Sequence, residues 1–340
     1  MELIKIISYN RKQFIYCNGI KSDQLNIYDG VPQGSILGPL LFLIHINDLQ
    51  FSTNLQLLNF ADDTLLFKHF DNSDKIAEEI NYELQQVNLW MKHNSLKLNA
   101  EKTKFITFIP KSNKFKSVRK IQLKIGNSEY IEQVNSCKYL GLIIDNQLNW
   151  QPHTNSLANK LSQTLGLLFK IRYYINKQSL LLVFNSLVLS RVRYAIICWG
   201  RCRPSIMSAI KILCNKSLRC INFCNYKNSK TSNLYYKDNL LNIDDLYKLE
   251  IGKFIYNFNT GNLPDNFENY FSKINSVHKY CTRNSNVNFY LERKNTTYGL
   301  HCLSFIGTNI WNNIPLDIKN KESIASFALY YKQFLLDKYI

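Results

Sequence analysis

The apolar pattern of this chain changes its period near Trp150. Beyond that point Leu157, Leu161, Leu165, Leu168 and Ile171 recur at helical spacing, and Leu180–Tyr194 reads as a second helix, with no strand alternation between them. Ahead of it, short apolar runs alternate with turn residues. A chain of 340 residues with 46% hydrophobic content has enough apolar material for two or three compact units. The switch predicts a mixed α/β unit over residues 1–145 and a mainly helical one over 146–235. Residues 236–340 form a third region of unassigned role, Asn-rich and aromatic beyond Tyr226, whose weak periodicity predicts no architecture.

Within the first region, Asn10–Gly19 reads as a strand that ends in an Asn-Gly turn, followed by a second strand through Ile27. The loop Gly30-Val-Pro-Gln-Gly-Ser35 opens into an apolar segment from Ile36 to Leu49. Pro39 suits a first helical turn, and Leu40–Ile46 is apolar all round, which predicts a buried helix. Leu55–Phe60 and Thr64–Phe67 flank two aspartates as short apolar strands, which makes a hairpin. From Ser73, a candidate N-cap, Ile76, Ile80, Leu84, Val87 and Met91 predict a helix up to Asn94. Lys104–Ile109 reads as an alternating strand, Pro110–Lys120 as a basic connector and Lys138–Asp145 as another short strand.

Charge narrows the partners. The formal net charge is +17, and 32 of the 42 basic residues are lysine, a bias that AT-rich coding sequence produces without selection for binding. Such a bias does not remove acids. Between Asn146 and Lys237 there is no aspartate or glutamate, against fourteen lysines and arginines. A long one-signed surface suits a polyanion such as nucleic acid.

Nine cysteines, an odd number, without a secretory signal point to a reducing, intracellular compartment. Cys198, Cys202, Cys214, Cys220 and Cys224 have C-x3-C spacing twice and no histidine nearby, so core packing is expected and no zinc. The apolar runs Leu180–Leu189 and Leu40–Ile46 are too short to span a bilayer, so no membrane partner is expected.

The chemistry concentrates on Asp62 and Asp63. Strand alternation would send neighbouring side chains to opposite faces, but at a hairpin tip both carboxylates can reach one side. Magnesium takes oxygen ligands and is usually held by one or two carboxylates plus substrate phosphates. Taken alone, an Asp-Asp pair is an ordinary turn. Its company is specific: Gly30 through Leu49, then Phe60-Ala-Asp-Asp63, then Leu98-Asn-Ala-Glu-Lys-Thr103, then Lys138-Tyr-Leu-Gly-Leu-Ile-Ile-Asp145. In this order the blocks resemble the palm of a reverse transcriptase, most closely the non-long-terminal-repeat (LINE-type) retrotransposon enzymes. The resemblance continues through Leu148-Asn-Trp-Gln-Pro-His153 and Arg193-Tyr-Ala-Ile-Ile-Cys-Trp-Gly200.

The resemblance implies an α/β polymerase palm, partial here, then a helical thumb and a C-terminal tail. It implies RNA-directed DNA polymerase activity: two-metal nucleotidyl transfer from dNTPs onto a DNA primer, copied from an RNA template, with two Mg2+ ions in the complete enzyme. Asp62 would ligate both ions and Asp63 would support it. Gln33 and Gly34 match the loop against the templating base pair, where a small residue lets backbone approach nucleic acid closely. Lys102 matches the lysine that protonates the pyrophosphate leaving group. Tyr139, Leu140 and Gly141 match the primer grip. Lys160, Lys170 and Arg172, on the acid-free helices, are expected duplex contacts, and other segments or proteins encoded by the same element are further expected partners.

One departure stands out. The family carries another metal-binding aspartate at the end of a palm strand upstream of the Asn10–Gly19 block, preceded by the fingers. Here the carboxylates before Gly30 are Glu2, Asp23 and Asp29, and none follows an apolar strand. The expectation is therefore a truncated palm with thumb and tail, the rear of a longer polyprotein. The alternative is a nucleic-acid-binding remnant without catalysis.

Overall fold

The computed structural model describes residues 11–27, 30–31, 34–70, 75–109, 121–126, 129–224, 230–277 and 286–340. The chain divides into two compact units, Met1–Cys137 and Lys138–Ile340. Among the described residues, no helix is long and apolar enough to cross a membrane.

Among its described residues, the first unit mixes small sheets with two α-helices. Arg11–Gln13 pairs antiparallel with Leu25–Ile27, and Tyr16–Cys17 with Ile20–Lys21. Asn18 and Gly19 join the inner pair with φ of +49° and +81°. Two consecutive left-handed residues make the turn whose twist matches that of a hairpin, and Asn-Gly is the dipeptide that adopts it most readily. The predicted strand pair is thus present, broken into shorter pieces.

The segment predicted as one buried helix from Ile36 to Leu49 differs in two ways. The helix is Gly38–Ile46, with Pro39 in its first turn, and it passes into a 3-10 helix over Asn47–Ser52. Only one side is covered: Ile46 and Leu49 are buried, whereas Leu40, Leu43 and Ile44 are half or more exposed. The covered side packs through Phe42, Ile46 and Leu49 into a cluster with Val87 and Met91 of the Ile76–His93 helix, which Leu57 and Leu66 also join. That helix follows the predicted apolar spacing and ends at Asn94; its N-cap is Lys75, and Ser73 lies outside the described residues. The strand predicted over Lys104–Ile109 is shorter, Lys104–Phe105, which pairs in parallel with Glu132–Gln133. Leu123–Ile125 completes this three-stranded sheet on the other edge of Glu129–Gln133. The Pro110–Lys120 connector lies outside the described residues.

Ser136–Tyr139 pairs with Leu142–Asp145 in a two-stranded ladder at the start of the second unit, whose remaining described residues are mainly helical. Leu157, Leu161, Leu165 and Leu168 form the buried stripe of the Gln151–Ile171 helix, as their spacing predicts, and this stripe faces the Pro204–Ile221 helix. The second predicted helix is a continuous helical run with a π turn at Asn185–Leu189 between Lys177–Phe184 and Ser190–Arg193. The core continues without interruption from Leu157 to Leu336 and includes Trp311, Phe327 and Tyr331. Of the five cysteines expected in the core, Cys214 and Cys220 lie in it, Cys202 and Cys224 pack partly buried against it, and Cys198 is exposed.

Candidate functional site

Gln56–Phe60 and Asp63–Phe67 pair antiparallel with Phe60 opposite Asp63, so the predicted hairpin is present with Ala61 and Asp62 as its tip, and Asp63, expected in the turn, is the first residue of the second strand. Ala61 holds φ at +52°. For a side chain with a Cβ this region costs about 1–3 kcal/mol, and such residues concentrate at functional sites. Asp62 and Asp63 are both exposed. Behind the tip the hairpin is anchored: Leu57 and Leu66 enter the core, and the buried Glu83 grips the foot. Its carboxylate accepts from Thr53 Oγ1 (2.8 Å), Asn54 N (2.7 Å) and Asn54 Nδ2 (2.9 Å). Burial opposes ionisation of Glu83, but the bonds from Asn54 and Thr53, helped by Lys68, outweigh it and hold the carboxyl below the usual glutamate range.

Two adjacent exposed carboxylates fit a hard cation that also takes water and substrate phosphates as ligands. Among the described residues, no group of three or more metal-binding side chains is assembled. Gly34 has φ +78° and open space where a Cβ would stand, so its conformation, not crowding, favours glycine there. Gln33 lies outside the described residues. Lys102 is exposed in a turn organised by Asn99, whose Oδ1 accepts from the Lys102 amide at 3.1 Å and whose carbonyl accepts from Thr103. The structure shows no bond between Lys102 and either aspartate.

In the second unit, Leu140 and Gly141 join the strands with φ of +44° and +81°, again a turn with two left-handed residues. The Tyr194 hydroxyl donates to the Leu140 carbonyl at 2.5 Å, and its ring lies so close that a Cβ on Gly141 would stand 3.2 Å from it. Trp199 Nε1 in turn donates to the Tyr194 carbonyl at 3.0 Å. His153 packs its ring 5.5 Å from that of Trp199 and accepts at Nδ1 from the Ile143 amide at 3.4 Å. Burial, with Lys160 adding to it, pushes His153 below the usual histidine range, which favours the neutral ring with its free acceptor nitrogen. Asp145, also buried, accepts from the amides of Gln147 (3.1 Å), Asn149 (3.2 Å) and Trp150 (2.8 Å) and so sets the start of the next helix.

Three blocks separate in sequence, 138–145, 148–153 and 193–200, are thereby brought together around one turn. The sequence displays these blocks but not the roles of Tyr194, Asp145, His153 or, in the first unit, Glu83. No periodic signal marks a bond such as the one from Tyr194 back to Leu140. Lys160 and Lys170 are exposed on the Gln151–Ile171 helix. Arg172 is held differently, bonded to the Tyr173 hydroxyl among three aromatic rings.

Residues 3–144 match the family model described as "Reverse transcriptase (RNA-dependent DNA polymerase)". The "Probable RNA-directed DNA polymerase from transposon BS" of Drosophila melanogaster is 28% identical over 212 residues, 58% of this chain and 22% of that relative. The "RNA-directed DNA polymerase from mobile element jockey" of the same organism is 25% identical over 228 residues, 64% of this chain and 24% of the relative. The X-element polymerase of D. melanogaster is 24% identical over 237 residues, covering 66% and 25%. Residues 3–144 are thus similar to reverse transcriptases, and 58–66% of the chain is similar to polymerases named for Drosophila mobile elements. It spans about a quarter of the length of these curated relatives.

Proposed function

We propose that this chain contributes the aspartate-pair hairpin, primer grip and thumb of an RNA-directed DNA polymerase that extends a DNA primer along an RNA template from dNTPs. The observation that carries this reading is the exposed pair of Asp62, in the tip of an anchored hairpin, and Asp63, the strand residue that closes that tip, inside the segment that matches the reverse transcriptase family. Residues 1–145 read as palm, 146–235 as thumb and 236–340 as a tail that shares the thumb's core.

Asp62 and Asp63 are the residues that would hold magnesium. Bound there, the metal supplies charge stabilisation to the phosphoryl group in transit and lowers the pKa of the attacking hydroxyl. The chain's own groups do the positioning. Gln33 and Gly34 would pack backbone against the templating base pair, and Lys102 would donate a proton to departing pyrophosphate. Tyr139, Leu140 and Gly141 would hold the primer terminus, with Tyr194 fixing the turn from behind. Lys160 and Lys170 would meet backbone phosphates, which position a duplex without reading its sequence. Arg172, half enclosed by rings, is less free for that work than its sequence position implies.

A second reading, a nucleic-acid-binding remnant without catalysis, is favoured by one observation: the acid-free stretch from Asn146 to Lys237 suits a polyanion without any need of the aspartate pair. Primer extension on an RNA template separates the two. The polymerase reading expects extension that Asp62→Asn abolishes; the remnant reading expects salt-sensitive binding and no Asp62-dependent synthesis.

A further inference from the structure

Where the Gln151–Ile171 helix ends, aromatic rings gather around one arginine. The Arg172 guanidinium carbon lies 5.1 Å from the Phe169 ring centroid, 4.6 Å from that of Tyr173 and 5.4 Å from that of Phe223. The Tyr173 and Phe223 rings are 5.7 Å apart and inclined by 58°. Phe223 comes from the end of another helix, Pro204–Ile221, and holds φ at +52°. Rings gathered for folding alone would be covered. These are not: Phe169 is 48% exposed, Phe223 55%, Tyr173 70% and the adjacent Tyr174 86%. A contiguous exposed apolar patch of this kind marks a contact site.

Charge says what the patch contacts. It lies within the stretch from Asn146 to Lys237 that contains no carboxylate, and Lys170 is exposed beside it. The carboxylate that meets Asn222, one residue before Phe223, belongs to Asp238; it is buried and paired with Lys177. Open aromatic faces amid cations suit a strand whose bases are unstacked and whose phosphates are anionic. A duplex hides its base faces and offers such rings nothing to stack on.

We propose that Phe169, Arg172, Tyr173, Tyr174 and Phe223 form a stacking platform for unpaired nucleotides of a nucleic-acid strand, separate from the lysines that track a duplex. The proposal rests on the reading that this chain handles nucleic acid, and its test keeps the two apart. Fluorescence anisotropy at several salt concentrations would compare binding of a short oligodeoxythymidylate and of a blunt-ended duplex to residues 1–340. The double variant Tyr173→Leu/Phe223→Leu keeps bulk and charge but removes two stacking faces. It should lose about tenfold or more in single-strand affinity, with duplex affinity and both salt slopes unchanged. The swap Tyr173→Phe/Phe223→Tyr, which keeps both rings, should bind as wild type. Unchanged single-strand binding by the leucine variant overturns the platform while leaving the duplex reading in place; so does equal loss on both probes, the mark of general damage. A wild-type chain that binds neither probe removes the nucleic-acid reading, and the platform with it.

Discussion

Replacing Asp145 by alanine should destabilise the helical unit more than any exposed substitution in it, and the cost can be worked from its bonds. The carboxylate is 5% exposed and accepts three backbone amides, two on Oδ1 at 3.1 and 3.2 Å and one on Oδ2 at 2.8 Å. Hydrogen bonds to a charged group contribute about 1.5–3 kcal/mol each, so three set a ceiling of about 5–9 kcal/mol. The two longer bonds share one oxygen, and amides in a surface turn regain water when the acid is removed. A loss of about 2–4 kcal/mol is therefore expected. The turn makes the loss felt, because Leu148 and Trp150 both hold positive φ, +51° and +65°, without a glycine to relieve them. Asp145→Asn keeps one acceptor oxygen and should cost about half as much. Urea unfolding followed by tryptophan fluorescence gives the free energies, and amide exchange should quicken at Gln147, Asn149 and Trp150. If Asp145→Ala stays within about 0.5 kcal/mol of wild type and these amides keep their protection, the carboxylate does not hold the turn.

Tyr194→Phe removes only the hydroxyl that reaches Leu140, so exchange of the amides around the Leu140–Gly141 turn should quicken about two- to tenfold with little change in melting temperature. Lys319 has its Nζ 2.9 Å from Asn288 Oδ1, and burial lowers its pKa to about 8 from 10.5. The unfolded chain then binds more protons than the folded one between those values, so stability tied to this group rises with pH from about 8 to 10.5. Lys319→Met should accordingly be the more stable form at pH 7, by an amount on the order of 3 kcal/mol less the missing hydrogen bond, and the difference should close by about pH 10.5 in unfolding titrations. Lys160→Ala with Lys170→Ala should weaken duplex binding alike for every sequence and make the salt slope shallower by nearly one for each phosphate that is no longer neutralised.

What could be read from the sequence was what is local. The aspartate-pair hairpin was legible because the apolar runs Leu55–Phe60 and Thr64–Phe67 leave only three residues between them, of which Asp63 joins the second strand, and the Gln151–Ile171 helix because Leu157, Leu161, Leu165 and Leu168 keep strict spacing. The apolar run of Leu40–Ile46 misled, since an all-apolar helix reads as enclosed, yet Leu40, Leu43 and Ile44 lie open. Lys104–Ile109 alternates like a strand, but its partner Glu129–Gln133 meets only the first two residues of that run. The C-terminal region was opaque for a different reason. Its core joins Phe289, Trp311 and Phe327 from distant segments, and such an aromatic cluster has no period to detect. Tyr194 and Asp145 escaped notice because a hydrogen bond to backbone leaves no mark in residue order.

The proposed role of Asp62 in phosphoryl transfer can be read from the rate of a single incorporation step. Single-nucleotide incorporation onto a DNA primer annealed to RNA, measured with this chain and with its Asp62→Asn variant, reads that role. Losing a carboxylate that supports several kcal/mol of charge stabilisation should slow incorporation at least about a hundredfold in Asp62→Asn, while primer–template affinity stays within about twofold. Incorporation at the wild-type rate by Asp62→Asn would contradict the account.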